Sequence, residues 1–135
     1  MKLPADVYFR SDLGLLLWKP RGLLNEKVVN TIIDFIRDEE AKSDANEFRY
    51  IDTSDLTAVD LNFRYVFHVA LYRRMSRRGQ SPIKSAFLVR NLGFAHYFKL
   101  HALLTDHSPL QVKLFDRPEA AAEWLGLPVE RLRGP

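Results

Sequence analysis

The strongest constraint on how this chain folds is its alternation of strand-sized apolar runs with helix-length stretches, each boundary marked by Gly, Pro, Asp or Asn. Val7 to Arg10 and Leu15 to Lys19 are β-prone and flank Ser11-Asp12-Leu13-Gly14, so they predict a hairpin that Pro20 and Gly22 close. Asn25 then stands as an N-cap for Val28, Val29, Ile32, Ile33 and Ile36, whose spacing predicts an amphipathic helix to about Lys42. Phe48 to Asp52 is again short and β-prone, and Thr53-Ser54-Asp55 reads as a polar loop. Leu61 to Arg78 holds no Gly or Pro and is too long for a strand, which predicts a second helix, N-capped near Asp60 and stopped by Gly79. Beyond Ser81-Pro82, Ile83 to Val89 predicts a strand and Asn91 caps a third helix through Leu104. Alternating Leu110, Val112 and Leu114 predict a strand with one solvated side, ending at Phe115. Asp116 and Glu119 have capping-box spacing and open a last helix through Leu125, with Leu127 to Leu132 docking as a further turn.

Strands separated by helices favour parallel pairing, because a crossover long enough to return the chain is already present. The expected fold class is therefore α/β: a mixed sheet of about five strands, four principal helices and an N-terminal β-hairpin, all in a single domain over residues 1–135. With 47% hydrophobic residues the chain can fill a core, for which Ile32, Ile51, Val66, Leu88, Val112 and Trp124 are the candidates. The sequence has no cysteine, which excludes disulfides, thiolate metal sites and thiol nucleophiles. It shows no secretory signal and no transmembrane segment, and a cytoplasmic location is expected.

The hairpin, the helix after it, the strand ending Ile51-Asp52-Thr53-Ser54, the connection ending Val59-Asp60, and the closing Val112-Lys113-Leu114-Phe115-Asp116 with Glu119-Ala120-Ala121-Ala122-Glu123-Trp124-Leu125 follow in a telling order. In these segments the chain resembles the SpoIIAA-like (STAS-like) family of small bacterial proteins over nearly its whole length. The resemblance implies a β-α superhelix, no catalysis, no cofactor, and a regulatory or ligand-binding role. In the phosphoswitch branch of that family, Asp-Ser-Ser-Gly opens the second helix and the second Ser is phosphorylated. Here Leu61 and Asn62 stand where the serines belong and Phe63 where the Gly belongs. Asn has no hydroxyl to accept a phosphoryl group. What the resemblance still implies is partner docking at the loops after the strands, through Thr53, Ser54, Asp55, Asp60 and Asn62.

The net charge of +3 hides an asymmetry. From Leu61 to Thr105 there is no carboxylate, while Arg64, Arg73, Arg74, Arg77, Arg78, Lys84, Arg90 and Lys99 are all cationic. Arg73, Arg74, Arg77 and Arg78 sit at the predicted end of the second helix, where cations complement the dipole. One or two would suffice for that, so the group is also a candidate site for an anionic lipid or an acidic protein surface. Nucleic acid ranks last, since no reader motif is present. His96 and His101 are five apart with no carboxylate nearby, which argues against a metal site. His68, mid-helix among apolar residues, is expected to be packed. Tyr65, Phe67, Tyr72, Phe94, Tyr97 and Phe98 crowd aromatics into the second and third helices, beyond what one buried stripe needs. The resemblance implies a non-enzymatic regulatory or protein-interaction domain with a protein partner or a homodimer; the alternative is a binding module for a small apolar or anionic lipid, and a third, weaker class is a hydrolase with a dispersed site.

Overall fold

The computed structural model describes residues 3–42, 48–76 and 81–133. Its elements run β1 (Val7–Arg10), β2 (Leu15–Trp18), β3 (Gly22–Asn25), α1 (Glu26–Lys42), β4 (Phe48–Asp52), β5 (Leu56–Asp60), α2 (Phe63–Ser76), β6 (Ile83–Leu88), α3 (Leu92–Leu104), β7 (Leu110–Phe115) and α4 (Pro118–Leu125), then a 3-10 turn over Val129–Leu132. The main sheet has the order β1-β2-β4-β6-β7. β1 and β2 form the antiparallel hairpin, and β2, β4, β6 and β7 are parallel, as the alternation requires. Because helices cover both faces, β4 and β6 are buried or half-buried along their whole length, even at Arg49 and Ser85, while β7 at the edge exposes Gln111 and Lys113.

Two strands go beyond the expectation. β3 and β5 pair in parallel as a separate two-stranded sheet, in the register Leu23↔Ala58, Leu24↔Val59 and Asn25↔Asp60. Gly22, read from sequence as punctuation, takes φ +75 and passes its amide to the Asp55 carbonyl, which sets the two strands side by side. Asp60 consequently ends β5 and does not cap α2. That role falls to Asn62, whose Oδ1 accepts the Tyr65 amide at 2.7 Å. Asn25 and Asn91 cap as expected, with Oδ1 accepting from Val28 at 3.0 Å and from Gly93 at 2.8 Å. The Asp116–Glu119 box does not form: α4 starts from Arg117 without a side-chain cap and with Pro118 in its first turn. Of the expected second helix, Arg77, Arg78 and Gly79 lie outside the described residues.

Strand alternation divides the core between the two faces. Leu15, Leu17, Tyr50, Ala86 and Leu88 pack under α4 and the 3-10 turn. Leu16 packs with Ile32 and Ile36 of α1, and Ile51 and Phe87 pack with Ala95 and Phe98 of α3. Ile32, Ile51, Val66 and Leu88 are buried. Val112, on the edge strand, and Trp124 are only partly so. Trp124 lies at the margin of α4, against Phe115 and beneath the Lys84 ammonium. His68 is exposed, contrary to expectation, because the buried face of α2 is the stripe Val66, Ala70 and Arg73.

Candidate binding chamber beneath the second and third helices

α2 and α3 follow parallel strands on the same face and pack against each other. Phe63 stacks on Tyr97 with ring centroids 5.2 Å apart, and at the far end Arg74 donates to the carbonyls of Leu104 and Asp106. Side-chain ties also hold α2 to α1: the Tyr65 hydroxyl donates to Asn30 Oδ1, and Arg37 donates to the Tyr72 hydroxyl. Between these helices and the sheet remains a chamber of about 110 Å3. Ile32, Ile36, Ile51, Val66, Val69 and Phe98 make most of its wall apolar. That is smaller than the apolar cavity of about 150 Å3 that binds benzene, so as it stands the chamber admits only a short apolar group.

The charged side chains lining the chamber are Arg49 and Arg73. Both are almost fully buried, and both reach Glu40, whose side chain is 7% exposed. Arg73 grips Glu40 with both terminal nitrogens, at 2.8 and 2.9 Å, and Arg49 adds a third bond at 2.8 Å. Desolvation alone would raise the Glu40 pKa, but the two guanidinium groups outweigh it and hold the carboxyl at about 2. His101, against Phe87 on the chamber wall, is pushed down to about 4 by burial, with the charge of Arg73 adding to the effect. Its imidazole is therefore neutral at pH 7.

The outer face of the same helices is different. Phe63, Phe67 and Met75 of α2 and Leu92 and Leu103 of α3 are exposed, the last two at 81% and 70%. Arg64 and Lys99 stand exposed among them and form no salt bridge with a described residue. Among the described residues, no three His, Asp or Glu side chains are placed to share a metal ion, and no helix is long and apolar enough to cross a membrane.

No protein-family model matches the chain, and no curated protein matches it in sequence. A solved structure does: an uncharacterized protein of the DUF3478 family, with a SpoIIAA-like fold, from Shewanella loihica PV-4. The two share 16% identity, with 82% of this chain and 83% of that one aligned at a TM-score of 0.51. The fold is SpoIIAA-like.

Within this SpoIIAA-like fold the loop residues singled out from sequence separate into two groups. Thr53 is buried, and both its hydroxyl and its amide bond the Leu88 carbonyl, extending the β4–β6 pairing by one residue. Asn62 caps α2 through Oδ1, although its side chain is exposed. Ser54, Asp55 and Asp60 remain exposed, with Asp55 3.7 Å from Lys19. The arginine group separates as well. Arg73 is a correction, because it faces inward to Glu40 and does not join an exposed anion-binding face. Arg74 spends its guanidinium on the carbonyls that end α3, and Arg77 and Arg78 lie outside the described residues.

The residues missed were Glu40, Arg49 and His101. A signal existed for two of the residues in the triad: Glu40 continues the i+4 series Ile32, Ile36, and Arg73 continues Val66, Ala70. A charge in register with an apolar stripe on each of two helices is a sequence-level hint of a buried pair. Arg49 gave no comparable hint, since every residue around it in β4 is buried or partly buried.

Proposed function

We propose that this chain is a non-enzymatic binding module for a small apolar molecule with an anionic head group, taken up in the chamber beneath α2 and α3. The carrying observation is the composition of the chamber wall, which is mostly apolar and carries the buried guanidinium groups of Arg49 and Arg73, both of them bonded to Glu40. Apolar surface supplies affinity in proportion to the area removed from water, and a carboxylate or phosphate head would share with Glu40 the donors of Arg49 and Arg73, which a neutral head has less reason to approach. The outer face supports the same reading. It is acid-free from Leu61 to Thr105 and carries exposed Phe and Leu beside Arg64 and Lys99, the composition that favours an anionic lipid surface.

Docking of a regulatory protein on the loops after the strands is the competing proposal. Its contacts would be Ser54, Asp55, Asp60 and Asn62, the four exposed there. Native mass spectrometry of the protein purified from cells without detergent distinguishes the two. A co-purifying small carboxylate or phosphate with a short apolar tail, lost when Val69 is enlarged to Phe, is the expected result. An unliganded mass accompanied by a stoichiometric protein partner would overturn it in favour of loop docking.

A further inference from the structure

A second pocket lies on the opposite face of the sheet, under α4 and the 3-10 turn, and nothing in the reading above uses it. Its volume is about 290 Å3, near the lower end of the roughly 300 to 1,000 Å3 typical of small-molecule sites. It stands at the carboxyl ends of β2 and β4, where Trp18, Lys19 and Asp52 leave the sheet, the place where open parallel sheets accept ligands.

Tyr50 is the feature that marks it as a site. The side chain comes from the middle of β4 and the residue is 3% exposed, yet its hydroxyl lines the pocket and bonds no described residue. The hydroxyl is not one of the enclosed, unpartnered polar atoms of the described residues, so this otherwise buried side chain keeps its polar tip accessible on the pocket side, where a bound group can reach it. Burial, with the nearby charges of Asp52 and Glu119 adding to it, raises its pKa, so the phenol stays neutral and can both donate and accept.

Around that hydroxyl the charges are balanced. Asp52 and Glu119 supply two carboxylates, and Lys19 and Arg133 supply two cations. Lys19 is held loosely, 3.8 Å from Asp52 and 3.7 Å from Asp55, beyond the 2.7 to about 2.9 Å of a charge-assisted hydrogen bond, so both sides can turn to a ligand. Leu17, Trp18, Val129 and Leu132 form the apolar remainder of the wall. The turn that carries Val129 to Arg133 is anchored to the hairpin: Arg10 donates to the Arg133 carbonyl and Arg131 pairs with Asp12.

We infer that this pocket binds a small zwitterion with an apolar side group, the chemistry of a free leucine- or phenylalanine-like amino acid. The ammonium faces Asp52 and Glu119, the carboxylate faces Lys19 and Arg133, the apolar group rests on Leu17, Trp18, Val129 and Leu132, and the Tyr50 hydroxyl bridges the polar atoms between them. A dinucleotide is too large for this volume, and a neutral polyol has no use for four charges of alternating sign.

Isothermal titration of the intact protein with L-leucine and L-phenylalanine tests this, with 4-methylpentanoate, isoamylamine and glucose as single-feature controls. Saturable binding of an amino acid is expected, weakened about tenfold or more when either ligand charge is missing. Tyr50→Phe should weaken binding by a similar factor while leaving thermal stability unchanged or raised, because it removes a hydroxyl that bonds no described residue. Glu119→Gln, at an exposed position, carries the test should Tyr50→Phe fail to fold. No saturable binding by the parent up to about 10 mM, binding indifferent to both variants, or preference for glucose would each overturn the inference. Lipid binding in the other chamber is unaffected by either variant, so the two readings fail separately.

Discussion

Replacing Glu40 by Ala removes the carboxylate on which α1, β4 and α2 converge. Three bonds of 2.8 to 2.9 Å go with it, leaving Arg49 and Arg73 buried near one another without that counter-charge. Removing one partner of a buried pair costs about 3 to 5 kcal/mol, since the remaining charge keeps its desolvation penalty. The titration gives an independent figure. Lowering a carboxyl from 4.5 to about 2 corresponds to roughly 3 kcal/mol in favour of its charged form. The folded pKa is depressed, so this contribution is fully present above the unfolded value of about 4.5 and is lost as pH falls toward 2. Urea denaturation at pH 7, followed by far-ultraviolet circular dichroism, should show Glu40→Ala less stable by that amount. The difference from the parent should shrink as the pH is lowered from 5 to about 3. A loss below about 1 kcal/mol at pH 7 would refute a buried triad and indicate that water reaches these groups.

Three further outcomes follow. His101 has a folded pKa depressed from 6.5 to about 4, so its neutral form stabilises the protein above pH 6.5 and that share is lost as pH falls to about 4. His101→Phe should flatten the stability-versus-pH curve in that window by up to about 3 kcal/mol, and an unchanged slope would contradict the burial. Asn62→Ala should cost about 1 kcal/mol and fray the start of α2 in hydrogen exchange, whereas Asp60→Ala should leave that helix end intact. Trp124→Ala should cost about 1 to 3 kcal/mol, less than a fully enclosed indole would, because the ring is only partly buried; a loss above about 4 would place it in the core.

Most of the fold was legible in the sequence because its signals are local. The hairpin turn, the Asn caps at residues 25 and 91, and the punctuation before β6 and β7 each act within a few residues of where they are read. β3 and β5 escaped because a strand of four or five residues has too little pattern, and these two are stable only through one another, across the whole of α1. The same distance hid the chemistry. Glu40 and Arg73 are 33 residues apart, and a run of arginines looks like an exposed patch until one learns which of them faces a carboxylate. The SpoIIAA-like resemblance located the loops correctly in the fold. It could not tell that Thr53 and Asn62 are spent on a β4–β6 bond and a helix cap.

Methyl NMR of the protein titrated with hexanoate and, separately, with hexanol shows whether the space beneath α2 and α3 takes an anionic apolar ligand. Saturable shifts are expected for the methyl groups of Ile32, Ile51, Val66 and Val69, weaker with the alcohol and abolished by Val69→Phe, while Leu15 and Leu125 on the α4 side stay still. Shifts confined to the α4 side, or equal responses to acid and alcohol, would contradict it.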